Sequence, residues 1–436
     1  MCIPIGNCST DAILQRAFSS YRDNESHIQA LRAEKLKLVR HYDVAGMESA
    51  AAIFCLGPSG AKLLASYFDG HDDVLMLPMF TSSAIYPFFE EYKHLSVWEK
   101  LVAYPAYSDT KWLDTKFFVG DYSIAAPAYY AAVQALFEVY GDESPAWLGV
   151  RQRFFQFLHV AYAAAIPRRR GDPQPLMIFA PHTMDEALAR QFIQDFPRGR
   201  FIHTIRDPIS VLDSCFDTVT YLQTCVAAGN RPDLALWYLW PAFCSVEQIL
   251  NCDRPHFGME ARTRAVRFED MHRSPEAMMR GLADWLGILY HPSLLESTWN
   301  GAPYVNHAHG VSWCGPNPAN TKRRWKNLDL ADRLLVFALL HENFMAWNYP
   351  SRRVFHRKWI RVCIIAVLWL LPMKMEIANT RMVVRLQAIP ALLSGRIRFA
   401  CRAPFFLITQ RLRIMSLIAS QARARLSGDR RLLTPL

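Results

Sequence analysis

Residues 200–214 read Arg200-Phe-Ile-His-Thr-Ile-Arg206-Asp207-Pro208-Ile-Ser-Val-Leu-Asp-Ser214. Arg200–Ile205 is a short apolar run of the kind that forms a buried strand. Asp207-Pro208 punctuates it, and Ile209 onward predicts a helix, since proline is at home on the first helical turn. Arg206 thus stands at the C-terminal edge of a strand, and Ser214 lies two turns into the following helix. Ligands of open α/β sheets collect at such strand ends. Arg206 has the fork geometry to pair a phosphate bidentately, with Ser214 facing the same side. The alternative for Arg206 is a structural ion pair with Asp207 or Glu269.

The flanking sequence repeats the alternation. Leu176–Ala180 predicts a strand, Asp185–Phe196 a helix, Ala265–Phe268 a further short strand, and Pro275–Leu286 a helix closed by Gly287. Strand and helix alternating at these lengths predict an α/β fold with a central parallel sheet. Further upstream, residues 51–57 (Ala-Ala-Ile-Phe-Cys-Leu-Gly) form another buried strand, running into Gly57-Pro58-Ser59-Gly60 and a helix over Ala61–Phe68 that stops at Asp69-Gly70. A glycine loop between a strand and a helix N-terminus suits phosphate, because free N–H groups and the helix dipole point at the anion. Gly57, Ser59, Gly60, Ala61 and Lys62 are its candidate residues; an ordinary Gly-Pro-Ser-Gly turn is the alternative. The loop is too short for GxxxxGK[ST], and Leu63 follows Lys62, so a P-loop kinase fits poorly. Residues 80–165 are rich in aromatics at mostly helical spacing, as a core or an acceptor pocket requires, and 168–175 (RRRGDPQP) read as a loop.

The 436 residues are 51% hydrophobic and 13% aromatic, enough for at least one full core and too apolar for a disordered chain. None of the ten cysteines falls in a CxxC pair, which argues against zinc and a disulfide framework and for a reducing compartment. The first fifty residues carry no signal peptide and include a helical stretch around Ser26–Val44, so a cytoplasmic location is expected. Net charge is +10, but residues 351–436 hold seventeen Lys/Arg against Glu376 and Asp429, leaving +15 there and −5 on residues 1–350. That break sets a boundary near residue 350, and the expected division is an N-terminal helical segment 1–48, a catalytic domain 49–350, and a basic, apolar helical tail 351–436.

Three motifs in order give the chain a family likeness. Ser59-Gly60 with Leu63-Leu64, Arg206-Asp207-Pro208 with Ser214, and Arg267-Phe268-Glu269-Asp270 before Ala283–Gly287 together resemble the sulfotransferases that use 3′-phosphoadenosine 5′-phosphosulfate (PAPS). Asp69-Gly70-His71 and residues 74–78 resemble the continuation of their first motif. Lys322-Arg323-Arg324-Trp325-Lys326 resembles their basic segment ahead of a tryptophan at the 3′-phosphate. The resemblance covers roughly residues 50–350 and implies a sulfotransferase-like, P-loop-related sheet flanked by helices, with a helical C-terminal extension. It implies PAPS as donor, with Arg206 and Ser214 on the 3′-phosphate and Lys322, Arg323 and Arg324 beside it. It implies transfer of the sulfuryl group to an acceptor hydroxyl or amine. Arg and Lys neutralise the phosphates in such a site, so no metal is expected. His182, in Ala180-Pro181-His182-Thr183, stands where the family has its base; a loop histidine bonded to backbone is the alternative. The sequence departs from the pattern at Pro58, Ala61 and Phe179, where the family has Arg or Lys, a hydroxyl, and Lys. Lys62 is the candidate for the missing charge. These departures keep a non-catalytic nucleotide-binding relative as the competing function; a small-molecule kinase is weaker still.

The resemblance leaves the tail unexplained. Trp359–Met373 is apolar over about fifteen residues, short of the roughly twenty that a span needs. Beyond it Arg381, Arg385, Arg396, Arg398, Arg402, Arg411, Arg413, Arg423 and Arg425 alternate with apolar residues, a pattern that suits the surface of an anionic membrane. The chain is then peripheral there, and its acceptor, of a class the sequence leaves open, is biased towards lipid or membrane-proximal molecules. The alternative is a helical annex packed on the body. Nucleic acid is not an expected partner, since it would leave the apolar content unused.

Overall fold

A computed structural model describes residues 10–55, 59–77, 84–111, 117–118, 122–141, 150–166, 174–181, 186–215, 259–308, 311–383, 393, 397–427 and 436. Five strands, β1 (Ala50–Cys55), β2 (Val74–Met76), β3 (Leu176–Phe179), β4 (Arg200–Ile205) and β5 (Thr263–Arg267), form one sheet in the order β2-β3-β1-β4-β5. All four pairings are parallel. β1 is central, with β3 on one side and β4 on the other. The order therefore reverses direction beside β1, and the C-terminal ends of β1, β3 and β4 share one sheet edge, where α/β proteins bind ligands.

The central strands are near-continuous apolar runs, as strands covered on both faces must be. One face is covered by α1 (Thr10–Asp23), α2 (Glu25–Val39), α4 (Ile85–Glu91), α5 (Val97–Lys111), α6 (Ala126–Tyr140), α7 (Val150–Ala165) and α8 (Glu186–Asp195). The aromatic stretch is the core of this layer. Tyr86, Phe155 and Phe192 gather around Phe179 with ring centroids 5.4–5.9 Å away. The other face carries α3 (Ala61–Phe68) and the helices Phe268–Arg273 and Pro275–Leu286.

Several expected elements need correction. The stretch Ser26–Val44 is helical over Glu25–Val39 only, followed by a single tight turn at Val44–Gly46, where the Asp43 carboxylate accepts from Gly46 N at 3.2 Å. A further helix of the N-terminal segment, α1, precedes it and packs on α5, while α2 packs on α6. The last strand spans Thr263–Arg267 instead of Ala265–Phe268, because Phe268 opens the next helix. α3 and Pro275–Leu286 fall where expected. Gly287, at φ +74°, closes the latter with its amide on Ala283 O at 2.9 Å, a conformation that costs glycine little. The expected loop at 168–175 lies outside the described residues except at its last two positions.

The chain beyond 350 packs on the helix Leu330–Leu339. Lys358–Leu368 and Ile397–Leu426 both bury residues there, including Ile365, Ile414 and Ile418. Among the described residues no helix is long and apolar enough to cross a membrane.

Candidate active site

Asp207 is the pivot of the site. It lies two residues beyond β4 and caps the helix that opens at 208, its Oδ1 accepting from Ser210 N at 3.0 Å, with proline on the first turn. Its Oδ2 accepts from Arg323 Nε at 2.8 Å and also from Nη2. Arg323 in turn donates to Pro350 O at 2.7 Å.

Arg206, one residue earlier, is 9% exposed and places its guanidinium 4.1 Å from the Phe268 ring centroid. Its Nη1 donates to Ser214 Oγ at 3.3 Å, across the two helical turns the spacing predicted. Burial pushes its pKa down, Glu269 opposes that, and Arg324 adds to it. A cation held in this way gains from an anion arriving beside it. The acids next to it are engaged elsewhere as well. Glu269 Oε2 accepts from Tyr349 OH at 2.6 Å, its Oε1 from Asp207 N at 3.4 Å, and Tyr349 lies under the Arg267 guanidinium.

The turn before α3 meets this arrangement directly. Ser59 is buried and shares a 2.7 Å hydrogen bond with Thr204 Oγ1 on β4. Gly60 has φ +91°, and a Cβ there would lie 2.7 Å from Phe268 Cδ2 and 2.9 Å from Met271 Cε, so glycine is needed for backbone and for space. Phe268 therefore touches both Gly60 and Arg206. α3 begins at Ala61, which is buried, and Lys62 follows on its first turn, half-buried. The amides of that turn and the helix dipole face the same strand edge as Arg206.

The basic segment is bound onto the helix that opens at 208. Arg324 N donates to Ser210 Oγ at 3.1 Å, the Arg324 side chain lies 3.6 Å from Asp213, and Asn327 N donates to Asp213 Oδ1 at 2.7 Å. Of the three candidate cations, Arg323 is committed to Asp207, Arg324 leans on Asp213, and Lys322 is exposed. His272 faces the turn that precedes this segment. Burial, and then Arg206, hold its pKa down to about 4, and its Nδ1 accepts from Asn317 N at 2.8 Å.

The structure thus brings Ser59, Gly60, Ala61, Arg206, Ser214 and Arg324 into one region, with Lys62 at its margin. Gly57, Pro58 and His182 lie outside the described residues; β3 leads up to His182 through Ala180 and Pro181. Phe179, where the family has lysine, points into the aromatic layer and is fully buried. Thr204, Phe268 as the shared contact, and Tyr349 went unnoticed in the sequence. Tyr349 meets Glu269 from eighty residues away, which no local pattern signals. Asp69 and His71 are structural: Asp69 accepts from Thr298 Oγ1 at 2.9 Å, and His71 Nε2 bonds Leu289 O at 2.8 Å.

Comparison with known proteins agrees with these motifs. No curated protein matches the chain. Similar solved structures include the sulfotransferase domain from the Synechococcus PCC 7002 olefin synthase, at 18% identity over 65% of this chain and 89% of that one, with a TM-score of 0.36. The sulfotransferase domain from the curacin biosynthetic pathway matches at 17% identity over 73% of this chain and 97% of that one, TM-score 0.32. The sulfotransferase STF9 from Mycobacterium avium matches at 14% identity over 65% of this chain and 73% of that one, TM-score 0.32. A model of the sulfotransferase family matches residues 53–292, more than half of the chain, including Ser59–Lys62, β2 to β5 and Arg206–Ser214 but not the basic segment 322–326. The chain belongs to the sulfotransferase family.

Proposed function

We propose that the chain transfers the sulfuryl group of PAPS to an acceptor hydroxyl or amine. The supporting observation is the union of two phosphate-binding elements through the Ser59–Thr204 hydrogen bond and the shared Phe268 ring. Arg206 and Ser214 bind the 3′-phosphate, and Arg324 adds positive charge beside it. Arg323 serves as a positioning residue, fastening the basic segment to Asp207. The amides of the α3 first turn receive the 5′-phosphate side, with Lys62 as the nearby cation in place of the residue missing at Pro58. PAPS when bound supplies an activated sulfuryl group on a phosphate leaving group. His182, three residues beyond β3 in the sequence, takes the proton from the acceptor as general base.

The departures at Pro58 and Phe179 favour a second reading, a nucleotide binder without turnover. Two measurements separate the readings. Adenosine 3′,5′-bisphosphate should raise the melting temperature while ATP with magnesium does not; the reverse pattern would point to a kinase and sink the proposal. Radiolabelled sulfate should then pass from PAPS to an acceptor in cell extract. Binding without transfer leaves the binder reading.

A further inference from the structure

The helix Lys358–Leu368 is apolar on two opposite sides. Its inner side faces Leu330–Leu339: Ile365 is buried, and Arg361 is drawn in by Ala338 O, at 3.0 Å from Nε, and by Glu342, at 2.5 Å from Nη2. Its outer stripe is Trp359, Val362, Cys363, Ala366 and Val367, continued by Leu370, at the spacing that keeps residues on one helical face. All six are exposed, Trp359 at 63%, Val367 at 66% and Leu370 at 63%. A helix face turned to water is ordinarily polar, and this one carries no charge.

Cations stand at one end of the stripe. Arg352, Arg353, Arg357 and Lys358 are exposed, and residues 351–375 contain no Asp or Glu. We propose that this face docks on an anionic lipid bilayer, with the stripe at the boundary between headgroups and acyl chains and the four cations on the lipid phosphates and carboxylates. Three observations select this occupant. Two copies meeting with their helices parallel would bring the same cations together, with no acid in residues 351–375 to offset them. Nucleic acid would leave six apolar side chains without a partner. No described helix can cross a membrane, so the contact lies on its surface. The charge that meets the lipid is also relocated from the sequence expectation. Arg411 pairs with Glu376 at 2.8 Å and donates to Leu371 O at 2.9 Å, and Arg425 bonds Asn343. Arg411 ties two segments of the tail together and Arg425 joins the tail to the body, and the basic cluster at 352–358, beside the stripe, is the lipid-facing one.

The test uses the full chain and needs no nucleotide, so it stands or falls apart from the donor reading. Vesicles of phosphatidylcholine, alone or mixed with phosphatidylserine, are sedimented with the protein at low and high salt. The protein should pellet with the anionic vesicles and be partly released by salt. Trp359→Ser/Val367→Ser/Leu370→Ser should weaken that association about tenfold or more, the scale of withdrawing three apolar side chains from the interface, while keeping the parent's melting temperature. Arg352→Glu/Arg353→Glu/Arg357→Glu should remove the preference for phosphatidylserine. A full chain that stays in the supernatant at low salt overturns the proposal, as does an unchanged triple-serine variant. Light scattering that finds a dimer dissolved by the serine substitutions also overturns it and assigns the stripe to a second copy.

Discussion

Two buried aspartates, Asp207 in the site and Asp332 at the root of the tail, have solved the same problem differently. Asp207 takes a guanidinium, Arg323, together with a backbone amide. Asp332 accepts from the backbone of Lys374 at 3.1 and 3.3 Å, with Asp329 and Glu376 close by. Burial, helped by those two acids, raises the Asp332 pKa from 3.8 to about 6. A charge compensated by a cation survives burial; one compensated by amides among other acids keeps its proton longer. The tail joint is therefore built to respond to pH.

The largest effect that would sharpen this contrast is on turnover. His182→Ala should lower it by about 10²–10⁴-fold while bisphosphate affinity stays near the parent's. Full turnover in the variant would send the base assignment to another residue, and lost nucleotide affinity would make His182 a binding residue. Next comes Arg206→Ala, which should weaken adenosine 3′,5′-bisphosphate by about 1.5–3 kcal/mol, the worth of charge-assisted hydrogen bonds. Calorimetric titration of the folded variant measures it, and equal affinity would remove Arg206 from the 3′-phosphate.

The smallest effect lies at the tail joint. Because the folded state holds the Asp332 proton where the unfolded chain has lost it, this group's contribution to stability is fully present below about pH 4 and is lost as pH rises to about 6. Asp332→Asn keeps an acceptor for the Lys374 amide and abolishes that loss. It should stabilise the protein by about 1–3 kcal/mol above pH 6 and not at all below pH 4. Melting temperatures between these limits decide; parallel pH profiles for variant and parent would break the contrast, and bisphosphate binding should be unchanged in either case.

Much of the site was legible because its signals are local. Asp207-Pro208 marks a helix start, Arg206 and Ser214 are eight residues apart on one side of it, and Ser59-Gly60 precedes a short apolar helix. Each depends on chemistry within two turns of chain, and the structure places each where the spacing requires. The aromatic stretch of 80–165 was legible as helices, but its role as the layer that buries Phe179 came from the sheet order.

Tertiary structure alone decided the partners. Which acid Arg323 takes, that Phe268 touches both the Ser59-Gly60 turn and Arg206, and that Tyr349 holds Glu269 all depend on segments tens to hundreds of residues apart. The tail shows the limit most clearly. Its composition established a basic, apolar helical region, yet Arg411 and Arg425 turn inward while Trp359 and Val367 turn out. Periodicity determines which residues share a helix face; only packing against Leu330–Leu339 determines which face is covered, because a helix apolar on two sides can bury either.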